Sequence, residues 1–191
     1  LMFLELEMED VIQVQPRLIT SGEENAITSA INNYYSAKLV KDAGIFVTCT
    51  RLTKILDKAI KQQDPSIHFK VQFSAVFFRP FQKEILSAQI YQQSPKGIRC
   101  VMGFFNDLFV PASQLPENSF FNEQESVWQW TFDETELFFD NGEQVRLSVS
   151  ALVEREGGKE FTEGIEDLEG SCFLVVGAMN ESGLGVKRWW E

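Results

Sequence analysis

The stretch IHFKVQFSAVFF sets Ile67, Phe69, Val71, Phe73, Ala75 and Phe77 in alternation with His68, Lys70, Gln72 and Ser74. Successive side chains of a strand point to opposite faces, so the pattern predicts a long antiparallel strand with one apolar and one wet face. Such a strand needs a cover, and the residues before it supply one. The opening MFLELEMEDVIQV alternates in the same way, with Leu4, Leu6 and Met8 on the side expected to be buried and Phe3, Glu5 and Glu7 on the other. Ile27, Ala30, Ile31, Tyr34 and Tyr35 recur at helical spacing, which predicts a helix over about residues 23–38 laid on the sheet. Thr20 and Ser21, just ahead of Glu23 and Glu24, form a double candidate capping box for its start. Gly44 then leads into IFVTCTRL, a strand rich in β-branched residues.

Arg79-Pro80 marks a boundary, because proline cannot continue a central strand and the charge balance changes there. The division is 1–80 and 81–191, and beyond it the pattern is all-β. EILSAQIYQQ and GIRCVMGFF are two strands joined by the turn SPKG. In GFFNDLFVPASQL the Asn106-Asp107 pair is the expected reversal into a third strand, which Pro111 ends. ASQL then suffices for one helical turn that returns Leu115 to the apolar side. VWQWTF and ELFFD read as a hairpin, NGEQVRLSVSALV as a fourth long strand entered through an Asn-Gly turn, and SCFLVVGAM as a fifth. Five strands with a short helix after the third is the order of an oligonucleotide-binding (OB) barrel.

The 191 residues carry a net charge of −11, and its distribution is uneven. Residues 1–80 hold 9 Lys and Arg against 9 acids, which leaves 8 against 19 for residues 81–191. Glu117 to Glu143 contains eight acids and no Lys or Arg, and Glu154 to Glu169 seven acids against Arg155 and Lys159. These read as two acidic inserts in a more neutral core, with a solubilising surface as their simplest role. A net negative chain repels a nucleic-acid backbone at long range, so any nucleic-acid contact requires a local basic patch. The N-terminal LMFLELEMED carries four acids where a signal peptide needs a basic region, which makes an intracellular protein the expectation. Cys49, Cys100 and Cys172 suit neither a disulfide framework nor paired zinc ligands and are expected to be buried, reduced thiols. In that setting the sequon Asn180-Glu181-Ser182 is accidental. His68, the only histidine, is expected to be structural on an exposed strand face, which argues against nucleophilic triads and most zinc sites. There is no Walker motif, and GLG at Gly183 lacks the context of a dinucleotide loop. No catalytic residue, metal or cofactor is expected.

MFLELEMEDVIQV, FSAVFFRPFQKEIL, GFFNDLFVP, VWQW, NGEQVR and the terminal GLGVKRWW together resemble the larger stalk subunit of eukaryotic RNA polymerase III. That family is related to the matching polymerase II stalk subunit and to its counterpart in archaeal polymerase. The resemblance covers nearly the whole chain, although QPRLITSGEEN is divergent and Leu1 precedes the methionine where the likeness begins. It implies an α+β, truncated RNP-like N-terminal tip domain over 1–80 and an all-β S1-type OB barrel over 81–191. It also implies a non-catalytic nuclear subunit that pairs with a smaller HRDC-type subunit, docks on the polymerase core by its tip, acts in initiation at tRNA and 5S rRNA genes, and meets nascent RNA. The alternative from another class is a free S1-domain RNA-binding or translation-associated factor.

Many S1 domains stack bases on aromatic side chains around the turn between their first two strands and at the end of the third. Here Lys96, Arg99 and Pro111 stand at those places, so the RNA-binding candidates are the cations Lys96 and Arg99, joined by Lys83 and Arg146. Solvation of a turn accounts for Lys96 and Arg99 equally well. The terminal pair Trp189-Trp190 is either a binding surface or an anchor, and the anchor is preferred because neighbours on a strand face opposite ways.

Overall fold

The computed structural model describes residues 2–60, 64–154 and 173–190. They form two compact units, Leu1–Arg79 and Pro80–Glu191, built very largely of strands.

The first unit is a sheet ordered β1-β4-β3-β2, from strands β1 (Phe3–Val14), β2 (Leu39–Val40), β3 (Gly44–Ile60) and β4 (Ile67–Phe78), with helix α1 (Glu23–Tyr35) laid on it. Phe69, Val71, Phe73, Ala75 and Phe77 of β4 have no solvent exposure. Over them lie Ala26, Ile27, Ile31 and Tyr35 of α1, while Tyr34 of the expected stripe faces solvent. The Tyr35 ring stacks on Phe46 at 5.3 Å and its hydroxyl donates to an Asp10 carboxylate oxygen. Burial and that hydrogen bond push the phenol far above its ordinary range.

Four expectations are corrected. Gly22, not Thr20 or Ser21, caps α1 without any side-chain bond, because Pro16–Ser21 forms its own helical turn in which the Thr20 hydroxyl donates to Arg17 O. Only the far end of the β1 apolar face is buried, at Ile12 and Val14, whereas Leu4 and Leu6 stay 39% and 37% exposed. His68 is 5% exposed rather than on a wet face, its Nε2 lying 2.8 Å from Asp64 Oδ2. Strand β3 runs eight residues beyond Leu52, because Ile45–Ile60, sixteen residues, faces only the twelve residues Ile67–Phe78 of β4. The four extra residues are absorbed at bulges at Val47, Thr50, Thr53 and Leu56, one every third residue. Phe46, Cys49, Leu52 and Ile55 therefore meet the core at a spacing of three, which a search for period two does not see.

The second unit contains β5 (Ile85–Ser94), β6 (Gly97–Met102), β7 (Phe105–Pro111), β8 (Ser119–Asn122), β9 (Val127–Phe132), β10 (Thr135–Phe138), β11 (Gln144–Glu154), β12 (Phe173–Ala178) and β13 (Gly185–Val186). The larger sheet runs β12-β7-β6-β5-β11-β13, and β12 pairs in addition with β11, so five strands close into a ring. Leu86, Ile90, Ile98, Cys100, Leu108, Leu147 and Val175 are buried in it. The reversal before β7 falls at Gly103-Phe104, with Gly103 at a left-handed φ of 51°, and Asn106-Asp107 lies within the strand. Ala112–Gln114 makes the expected helical turn, and Leu115 is buried. Gly97 is required where it stands: a Cβ there would lie 2.2 Å from Val110 O and 2.8 Å from the Phe109 ring. Of the two acidic segments, the first is a three-stranded sheet ordered β10-β9-β8; the second lies almost wholly outside the described residues, as does Cys172.

Phe73 is fully buried at the centre of the first core, so Phe73→Ala should lower the stability of that unit by about 3–5 kcal/mol in denaturant unfolding. A loss below about 1 kcal/mol would place the core elsewhere.

Candidate functional site

The four candidate cations fall into two pairs at opposite ends of β5. Lys96 occupies the β5–β6 turn, with Lys96 O accepting from the Ala112 N–H at 2.9 Å, and Arg99 on β6 faces Gln92 near the end of β5. Lys83 stands just before β5, its N–H donating to Val149 O at 2.7 Å, and Arg146 on β11 faces Ser87 near the start of β5. Gln92 and Ser87 are five residues apart and the two arginines lie two strands apart, so Arg99 and Arg146 are separated by about 19 Å. A flexible single strand could touch both pairs, but the side chains form no single cluster.

A second site was not legible as such from the sequence. Gln93 at the end of β5 clamps the three-stranded sheet: its Oε1 accepts from Trp128 N–H at 2.8 Å, and its Nε2 donates to Phe139 O and to Asn141 Oδ1. Trp128 Nε1 donates to Ser94 O at 2.9 Å. Phe121, Trp128, Trp130 and Phe132 share one face of this sheet, since Phe121 is paired with Trp128 and strand residues alternate. Their burial falls steadily outward, from Trp128 through the half-buried Trp130 to Phe132, which is 56% exposed.

The C-terminal residues close on that face. Lys187–Trp189 is one helical turn rather than a strand, so alternation does not separate the two tryptophans. Both rings lie against Trp130, at 5.3 Å for Trp189 and 6.5 Å for Trp190. Trp189 also meets Phe139 edge-on at 4.6 Å and rests on Gly185, where φ is +93° and a Cβ would come within 2.8 Å of the ring. Trp190 Nε1 donates to Leu184 O at 2.9 Å. Arg188 is held by Asp140 Oδ2 at 3.0 Å and Glu143 Oε1 at 2.9 Å. Trp189 is thus an anchor, while Trp190 stays 39% exposed.

Elsewhere the chemistry is quiet. Cys49 and Cys100 are buried free thiols, and burial pushes Cys100 up to about 12. Hydrogen bonds from the Ser66 N–H and hydroxyl, and then from His68, hold Asp64 below the usual carboxylate range. No group of metal-ligating side chains gathers among the described residues. In the first unit a cleft of about 720 Å³ is lined by Val11, Gln13, Arg17, Leu18, Asn33 and Tyr34, among others.

Two measurements test the closing cluster. Trp189→Ala should cost the second unit about 3 kcal/mol in thermal unfolding, and an unchanged melting temperature would remove the anchor. Burial raises Glu143 above its ordinary 4.5, opposed by Arg188 and reinforced by Asp140. The folded state therefore holds that proton more tightly, so the residue's contribution to stability is full below pH 4.5 and is lost as pH rises through the folded value. Glu143→Gln should flatten melting temperature against pH across that window, and an unaltered profile would contradict the assignment.

The profile of the family described as RNA polymerase III subunit Rpc25 matches residues 84–190. The chain is 30% identical to DNA-directed RNA polymerase III subunit RPC8 of Bos taurus, across 99% of this chain and 98% of the relative. It is 28% identical to the protein of that name in Saccharomyces cerevisiae and to subunit rpc8 of Schizosaccharomyces pombe, in both cases across the full length of each chain. With a profile match over more than half its length and a full-length relative at 30% identity, the chain belongs to the RNA polymerase III subunit Rpc25 family.

Proposed function

We propose that this chain is a non-catalytic stalk subunit of nuclear RNA polymerase III, paired with a smaller HRDC-type subunit and acting in initiation at tRNA and 5S rRNA genes. The observation that carries the reading is its likeness to polymerase III subunits along the whole of both chains. In this reading residues 1–80 are a truncated RNP-like tip domain that docks on the polymerase core and the partner, and 81–191 an S1-type OB barrel. Support for the barrel comes from the closed ring β5-β6-β7-β12-β11 with one helical turn after β7, which is the OB strand order. Support for the docking role comes from β1, an edge strand that leaves Phe3, Leu4, Leu6 and Val11 more than a third exposed. Apolar side chains along an edge are a liability that a permanent partner removes.

The pair should bury above roughly 2,000 Å² in total, the range of obligate complexes. Affinity purification of the tagged chain should recover a small subunit at one-to-one together with the polymerase. A monodisperse monomer as heat-stable as the pair would overturn this reading and favour a free S1-domain factor.

RNA contact in this reading runs through phosphates at Lys96, Arg99, Lys83 and Arg146, and is weak and indifferent to sequence. For a single strand meeting both members of a pair, Lys96→Ala with Arg99→Ala should reduce the salt slope of log affinity by about 1.4. An unchanged slope would show that this pair only solvates its turn, and a salt-insensitive affinity would exclude phosphate contact.

A further inference from the structure

We infer that the outer end of the β8–β9–β10 sheet, with Trp190 beside it, is a docking surface for an arginine-rich segment of a partner protein. Three rings carry the inference. Trp130 stands between Phe132, at 5.0 Å and 40°, and Trp190, at 6.5 Å and 36°. Trp130 is fixed from below by Trp189 and by its own Nε1, which donates to Glu117 O at 3.0 Å, so the ladder is rigid before anything binds. Phe132 and Trp190 reach solvent at 56% and 39% exposure, although the anchoring of the C-terminus requires neither to do so.

The hairpin beside the ladder sets the charge of the occupant. Phe132 leads into Asp133-Glu134, a two-residue turn in which both residues are left-handed, with φ of 46° and 60°. That turn favours Asn-Gly, and a glutamate in its second place is an uncomfortable choice for the backbone. Asp133 and Glu134 are exposed, and neither makes an ion pair among the described residues, while Glu136, opposite Thr131, lies on the other face of the sheet. The whole segment from Glu117 to Glu143 has eight acids and no Lys or Arg. Arg188, in the same turn as Trp189, is already occupied by Asp140 and Glu143.

An electron-rich ring face attracts a cation, and guanidinium stacks on such a face better than ammonium does. The carboxylates of the adjoining turn add to that attraction and repel phosphate. Nucleic-acid bases would find rings here but carboxylates beside their backbone, whereas an extended arginine-rich peptide finds both rings and counter-charge. The surface belongs to the second unit alone and does not depend on how the first unit is used.

The test uses the full chain and three labelled probes of about ten residues or nucleotides in fluorescence anisotropy: an arginine–glycine peptide, its lysine–glycine counterpart and oligouridine. The arginine peptide should bind several-fold more tightly than the lysine peptide, with an affinity that falls as salt rises. Phe132→Ser, at an exposed position that leaves the fold intact, should weaken the arginine peptide about tenfold and leave oligouridine unchanged. Asp133→Asn with Glu134→Gln should weaken it similarly and flatten its salt dependence, at an unchanged melting temperature. Equal binding of the arginine peptide to the parent chain and both variants, or no binding to the parent, overturns the inference. So does a loss of oligouridine binding in Phe132→Ser with peptide binding spared, which would make the ladder a base-stacking platform.

Discussion

The double pairing of β12, parallel to β7 and antiparallel to β11, is the constraint on which the second unit rests. It turns a row of strands into a ring with few free edges and sends one set of side chains inward to a fully buried core. Once the ring is closed, new surface can be added only in the connections. The connection from β7 to β11 carries the β8–β9–β10 sheet, and the residues after β12 carry the two terminal tryptophans. These two additions meet on Trp130, so the parts farthest from the ring stabilise one another. Gln93 ties them back to β5 through bonds to Trp128, Phe139 and Asn141.

The first unit follows the opposite rule. Its sheet is open, β1 lies at the edge, and a single helix is too short to cover the whole apolar face. The helix buries Ile12 and Val14 and leaves Leu4 and Leu6 half open. Four bulges in β3 add residues without adding pairing, and two of them push Val47 and Leu56 outward. A unit of about 80 residues with this much open apolar surface gains stability from a permanent partner in a way the closed ring does not need. This contrast gives the proposed stalk role a physical basis in the chain itself.

Much of this was legible in the sequence because local rules and tertiary demands agreed. Alternation in β4 and β5, the SPKG and Asn-Gly turns, and Pro111 at the end of β7 each specify their element within a few residues. What escaped depends on neighbours distant in sequence. β3 has a period of three from Phe46 to Ile55 only because β4 is shorter than the strand paired to it. The reversal before β7 was expected at Asn106-Asp107 and falls at Gly103-Phe104, where Gly103 takes the left-handed backbone. β8 is a four-residue strand with no alternation long enough to recognise, and the burial of His68 is decided by packing rather than by its place in the pattern. The candidate cations were found by type and position along the chain, but their division into two pairs follows from the β5 register alone. The aromatic ladder was hidden because its members come from β9 and the C-terminal turn, nearly sixty residues apart.

In the proposed stalk role the first unit is covered by a partner along β1. Amide hydrogen exchange of this chain, alone and in complex with the proposed smaller subunit, is the decisive measurement. Phe3–Asp10 should exchange markedly more slowly in the complex, while the ring strands β5, β6 and β7 change little. A complex that forms with the exchange of β1 unaltered would contradict it.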